Sequence, residues 1–164
     1  FILPLAIVFG LSQTTLAQST KMGLVDQQAI VLDMPEYASA QTKFSEREAS
    51  KMKEIETLYL QYQTKMQEYE TVMMSGSASS AEQQALETEI IGLQERIQRA
   101  EEMAQMYLAD YNTDLMEPIN EKLNAAIQAV AKANGYTHVT DLTLFYLYPE
   151  SDDITGKVKA HLGL

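Results

Sequence analysis

Between Glu36 and Met74 the chain carries neither Pro nor Gly. Its apolar side chains return there in alternating steps of three and four, at Met52, Ile55, Tyr59, Tyr62, Met66, Tyr69 and Met73. Between Ala81 and Glu117 there is a single Gly, Gly92, and no Pro, and the same alternation runs through Leu86, Ile90, Leu93, Ile97, Ala100, Ala104 and Tyr107. Such steps keep one narrow stripe of a helix apolar, which is the seam of a coiled coil rather than the broader face of an ordinary surface helix. The two series mirror each other about the Ser79–Ser80 bond. Met73 falls opposite Leu86, Tyr69 opposite Ile90, Met66 opposite Leu93 and Tyr62 opposite Ile97, with the bulky Tyr59 and Ile55 facing the small Ala100 and Ala104. The pattern predicts an antiparallel helical hairpin closed by the soft insert SGSASS. Gly76 supplies a left-handed stop for the first helix, and Ser79 with Glu82 a capping box for the second.

A seam this thin leaves most of each helix in water, so its burial barely offsets the entropy of ordering the backbone. The arm must therefore be rooted in something firmer and fray toward its tip. The root is expected from the remainder of the chain. MGLVD (Met22 to Asp26) is β-prone, and Asp33-Met34-Pro35-Glu36 reads as a helix start with Pro in the first turn. Pro118 is expected to kink or restart the second helix, and Ile119, Leu123, Ile127 and Val130 follow at helical spacing until Asn134-Gly135 ends it. Thr137 to Leu142 and Leu144 to Pro149 both read as strands, and DDITGKVKAHLGL reads as a short helix capped by Asp152 or Asp153. Short strands with open edges make a poor sheet alone, so partner strands from other copies are expected. The fold class is mainly α with a small β body: a long antiparallel coiled-coil hairpin arm rooted in a short-stranded β association domain shared between subunits. The boundaries are 36–111 for the arm, with its tip at 75–80, and 18–35 with 112–164 for the body.

Composition changes this picture at the front. Residues 1–17 are apolar, then polar, with Thr15 and Ala17 where a signal peptidase reads small residues, so they are expected to be a cleaved secretory signal peptide. A basic start and an initiating Met are expected upstream of Phe1. The apolar run falls short of the ~20 residues that span a bilayer. No Cys occurs among the 164 residues, which excludes disulfides, thiol chemistry and lipidation at a cleavage-site Cys. The mature protein is expected to be exported to the periplasm, soluble and not lipid-anchored. A net charge of −11 argues against a nucleic-acid partner, and 46% apolar content argues against a disordered acidic chain.

The two ends carry a family resemblance. MGLVDQQAIVLDMPEYASAQ at the front, and PINEKLNAAIQAVAKANGYTHVTDL with the later Asp153-Ile154-Thr155 at the back, resemble the Skp or OmpH-like periplasmic chaperones. The resemblance covers nearly all of the mature chain and is carried by the ends, since the coiled-coil middle would match many unrelated proteins. It implies a homotrimer with a small body of shared strands and three arms around a cavity. Unfolded outer-membrane proteins would be held there without ATP. The best-known members are basic, whereas this chain is acidic, so charge-driven capture is not carried over.

Apolar side chains outside the seam are the ones in want of a partner: Leu58, Leu60, Val72, Met74, Ile91, Met103, Met106 and Leu108 are the candidate client-binding residues. One flank of the arm opposes Glu56 to Glu101 and Glu70 to Glu87, leaving like charges for water to screen. The other opposes Leu58 to Met103 and Lys65 to Arg96, and this apolar and basic flank is expected to face the client. Flexible, polarizable Met side chains suit varied partners. No catalytic, cofactor or metal residues are identified: His138 and His161 lack ligand spacing, and no phosphate loop or nucleophile motif is present. The competing reading is a structural spacer or adaptor of the cell envelope that binds no client.

Overall fold

A computed structural model describes residues 20–76 and 79–164. The expected signal segment, 1–17, and the two residues at the turn of the hairpin lie outside the described residues. The elements run β1 (Met22–Val25), α1 (Gln27–Asp33), α2 (Pro35–Ser75), α3 (Ser80–Asn134), β2 (His138–Asp141) and α4 (Thr155–Leu162), with single 3-10 turns at Leu142–Leu144 and Glu150–Asp152. No helix among the described residues is long and apolar enough to cross a membrane.

The hairpin forms as its caps and periodicity require. Pro35 opens α2 in its first turn, and Gly76 closes it in the left-handed region at φ 63°. Ser79 and Glu82 make the reciprocal capping box that starts α3, and Gly135 ends that helix at φ 70°. Leu86, Ile90, Leu93, Ile97 and Ala104 are buried along α3 against α2.

Pro118 does not break the helix. Its missing N–H leaves one carbonyl, that of Asp114, without a helical partner. Both residues are exposed, so the freed carbonyl is not buried, and α3 runs on through Asn134.

At the root, β1 and β2 pair in parallel with Met22 opposite His138 and Val25 opposite Asp141, and the whole hairpin is the crossover between them. Beneath them Val25, Ile30, Met34, Ile119, Leu123, Val130, Ile154 and Val158 form one buried cluster. The far edge of β1 is taken by the segment before α4: the Ile154 amide donates to the Leu24 carbonyl at 2.8 Å, and the Asp26 amide to Thr155 Oγ1 at 2.9 Å. Asp26 also caps α1, its Oδ1 accepting from the Ala29 amide at 2.8 Å. Helix α1 is an element the apolar pattern alone does not signal. A Cβ at Gly23 would sit 3.2 Å from the side chains of both Ile154 and Tyr136, so a larger residue there would have to push these neighbours back by a few tenths of an ångström.

Two further expectations are corrected. Leu144 to Pro149 is not a strand. Asp141 accepts from both the amide and the hydroxyl of Thr143, which bends the chain into a 3-10 turn closed by the Phe145 amide on the Leu142 carbonyl. No neighbouring strand is offered to the segment among the described residues. The closing helix is capped at Ile154 rather than at Asp152 or Asp153, although Asp153 Oδ1 still accepts the Thr155 amide at 2.8 Å.

Candidate functional site

The candidate surface is the arm, and its chemistry follows from how the two helices meet. On α2 the half-buried side chains include Ile55, Leu58, Tyr62, Lys65, Tyr69 and Val72, while Met52, Tyr59 and Met73 stand exposed. The step of three and four is as expected and Met66 is half-buried with it, but at Met52, Tyr59 and Met73 the stripe has shifted by one position, to Lys51, Leu58 and Val72. Leu58 and Val72 therefore belong to the seam, not to the free surface. The rotation lets tyrosine hydroxyls reach across the arm to one side. Tyr59 donates to Glu101 Oε1 at 2.9 Å, Tyr69 to Glu87 Oε1 at 2.9 Å, and Gln94 Nε2 donates to the Tyr62 hydroxyl at 3.1 Å. Glu101 and Glu87 of the acidic flank are thus bonded by phenols rather than left to water alone. The bonds hold the protons on the phenols, raising the pKa of Tyr59 and of Tyr69 above the ordinary tyrosine value through Glu101 and Glu87 respectively.

The opposite flank is built differently. Lys65 bridges Glu89 at 2.8 Å and Glu68 at 2.9 Å, and these carboxylates, Glu89 foremost, hold its ammonium charged up to about pH 12. Arg96 makes no ion pair among the described residues. Around these two cations lies an open groove of about 620 Å³, walled by Thr57, Leu60, Thr64, Glu89 and Leu93. Farther toward the body a smaller hollow of about 270 Å³ holds Met103 beside Lys51, Ile55 and Tyr107. Below it Arg47 lies over Tyr107 and Tyr111, 5.7 and 5.4 Å from their ring centres, and the two rings stack 5.9 Å apart.

The structure sorts the candidate residues. Leu60 and Met103 line hollows of the basic flank, and Met106 lies one helical turn from Met103. Met103 and Met106 are each 65% exposed, and Met74 is 82% exposed close to the tip. Leu108 opens instead onto the acidic flank, beside Met52, Glu56 and Glu101, and Ile91 follows Glu87 by one turn on that side. The groove around Gly92 was not legible from periodicity, since a glycine and two threonines give no apolar signal. A second apolar surface, at Leu144, Tyr146 and Leu147 beside β2, went unrecognised because a strand was expected there. Tyr146 is fully exposed and Leu147 90% exposed. Among the described residues no group of His, Asp or Glu has the geometry to hold a metal ion.

Comparison with known proteins agrees with this architecture. A family model described as outer membrane protein (OmpH-like) matches residues 21–162. A solved OmpH-like protein of Caulobacter crescentus CB15, described as a candidate outer membrane chaperone, superposes with a TM-score of 0.75 at 13% identity. The match covers 87% of this chain and 83% of that one, and at such identity it shows a shared fold. Among curated proteins none matches significantly.

Proposed function

Since the chain belongs to the OmpH-like family of outer membrane proteins, a chaperone family, we propose that it is an ATP-independent periplasmic holdase, keeping unfolded outer-membrane proteins from aggregating between its helical arms. The observation that carries this reading is the apolar surface of the arm outside its seam, at Leu60, Met103, Met106 and Met74. A spacer that binds nothing has no use for thioethers standing in water.

The energetics say how such an arm would act. Half-burying one of these side chains contributes roughly 1 kcal/mol, so a client touching four of them gains about 4 kcal/mol. That corresponds to a dissociation constant of about 1 mM, too weak for one arm. Several arms on one body raise the effective concentration and convert weak contacts into retention. Self-association follows as part of the proposal. Leu144, Tyr146 and Leu147 lie beside β2, whose outer edge has no strand partner among the described residues, whereas β1 is covered on both sides. A second and third copy are the expected cover, as in a homotrimer.

The test is to dilute a urea-unfolded outer-membrane barrel protein into buffer with and without residues 18–164 and follow light scattering. Suppressed scattering at about one oligomer per client, without ATP, is expected, and it should persist in high salt because the contacts are apolar. Scattering that rises unchanged in both salts would leave the spacer as the account. Met103→Ser with Met106→Ser should weaken holding with helicity unchanged. Leu58→Ser is a poorer probe, since Leu58 sits in the seam.

A further inference from the structure

Gly92 has no structural reason to be glycine. It lies inside α3, where glycine weakens a helix relative to alanine. Its backbone is not in the left-handed region, since the glycines with positive φ are Gly76, Gly135 and Gly163. Nor does packing demand it: a Cβ added at Gly92 would meet nothing within 4 Å. The space that the methyl would enter is the groove of about 620 Å³ between Leu60 and Thr64 on α2 and Arg96 on α3. A helix interior that forgoes a side chain over open space makes room for something outside the chain.

The rim says what that something carries. The chain bears −11 overall, yet the charged residues lining this groove are two cations, Lys65 and Arg96, and one carboxylate, Glu89. Glu89 and Glu68 already neutralise Lys65, whereas Arg96 has no ion-pair partner among the described residues. Its planar guanidinium is suited to donate two parallel hydrogen bonds to a carboxylate. We infer that the Gly92 groove is a subsite for an extended polypeptide segment in which a large apolar side chain sits next to a carboxylate. The side chain lies over Gly92 against Leu60, and the carboxylate pairs with Arg96. The inference rests on the reading of the arm as a holder of unfolded chains and adds which segments it prefers.

The test uses the full mature protein and three fluorescein-labelled Gly/Ser peptides read by fluorescence anisotropy. One carries Phe flanked by Glu, one Phe flanked by Lys, and one Ser flanked by Glu. Wild type should bind the Phe/Glu peptide at least about fivefold more tightly than either other. Gly92→Leu should abolish that preference, and Arg96→Glu should transfer it to the Phe/Lys peptide. Gly92→Ala keeps the helix at least as stable and should lower the preference only in part, which separates filling the groove from unfolding the arm. Equal binding of all three peptides, or a preference that survives Gly92→Leu, would overturn the inference. A change in oligomer mass on Gly92→Leu with the peptide preference intact would do so too, because the groove would then be a contact between copies. The scattering assay run in parallel keeps the two claims apart: suppression without peptide preference sinks the subsite alone, while preference without suppression sinks the holdase reading and leaves the subsite standing.

Discussion

Asp26 joins three parts of the root. Its carboxylate caps α1 at the Ala29 amide, its own amide donates to Thr155, and it follows directly on β1. Asp26→Ala should cost about 1 kcal/mol as a lost cap, seen as a lower melting temperature with the arm's helicity retained. The tip has its own titration. The backbone amide of Ser79, and then its hydroxyl, hold the Glu82 carboxyl below the ordinary carboxylate range. A carboxyl whose pKa falls on folding stabilises the folded state at pH above its unfolded pKa, and that contribution disappears as pH drops through the folded pKa. Acidification should therefore loosen the start of α3 before the body, read as lower amide protection relative to the intrinsic exchange rate at Gln83 to Leu86, and Glu82→Gln should remove that pH dependence. Glu36 follows the same sign, its carboxyl held down first by the Lys122 ammonium and then by its own backbone amide.

Within the long elements, burial is uneven. Ala40 is the only buried residue of α2. Along α3 no residue is buried between Ala104 and Ile119, the stretch where Arg47 meets the stacked Tyr107 and Tyr111. The arm's seam and the root's core are thus two well-buried blocks joined by continuous helix whose apolar side chains, Leu108, Leu115 and Met116 among them, are at most half-buried, and opening should be cheapest there. Hydrogen exchange should show protection at Ile90 to Ile97 and at Leu123 to Val130, with faster exchange between them. Leu93→Ala should cost about 2 kcal/mol, at the low end for core leucines because the seam is thin. It should speed exchange along the arm while leaving the Val158 amide unchanged. A slowing or speeding of both together would mean the arm and root open as one unit.

At the scale of the molecule, the uncovered edge of β2 and the exposed Tyr146 and Leu147 belong to the same question as the weak single arm. Tyr146→Ser with Leu147→Ser should lower the mass measured by light-scattering chromatography, and client holding should fall with it, since each arm then acts alone. Loss of mass with holding intact would show that one arm suffices and that the avidity argument fails.

The hairpin was legible because its determinants are local or periodic. Caps at Gly76 and Ser79, a Pro at position 35 and a three-four repeat each act within a turn or two of helix. The family ends were legible for a related reason: across the root the Leu24 carbonyl accepts from the Ile154 amide and the Asp26 amide donates to the Thr155 hydroxyl, while Asp153 accepts from the Thr155 amide. What only the tertiary structure decided depends on the company an element keeps. The choice between Leu58 and Tyr59 for the seam is a small rotation that both patterns permit, settled by where the tyrosine hydroxyls find acceptors on α3. The fate of Leu144 to Pro149 turned on whether a strand lay beside it, and β propensity carries no information about that. The groove over Gly92 is made of space between two helices, and space has no residue of its own to be read.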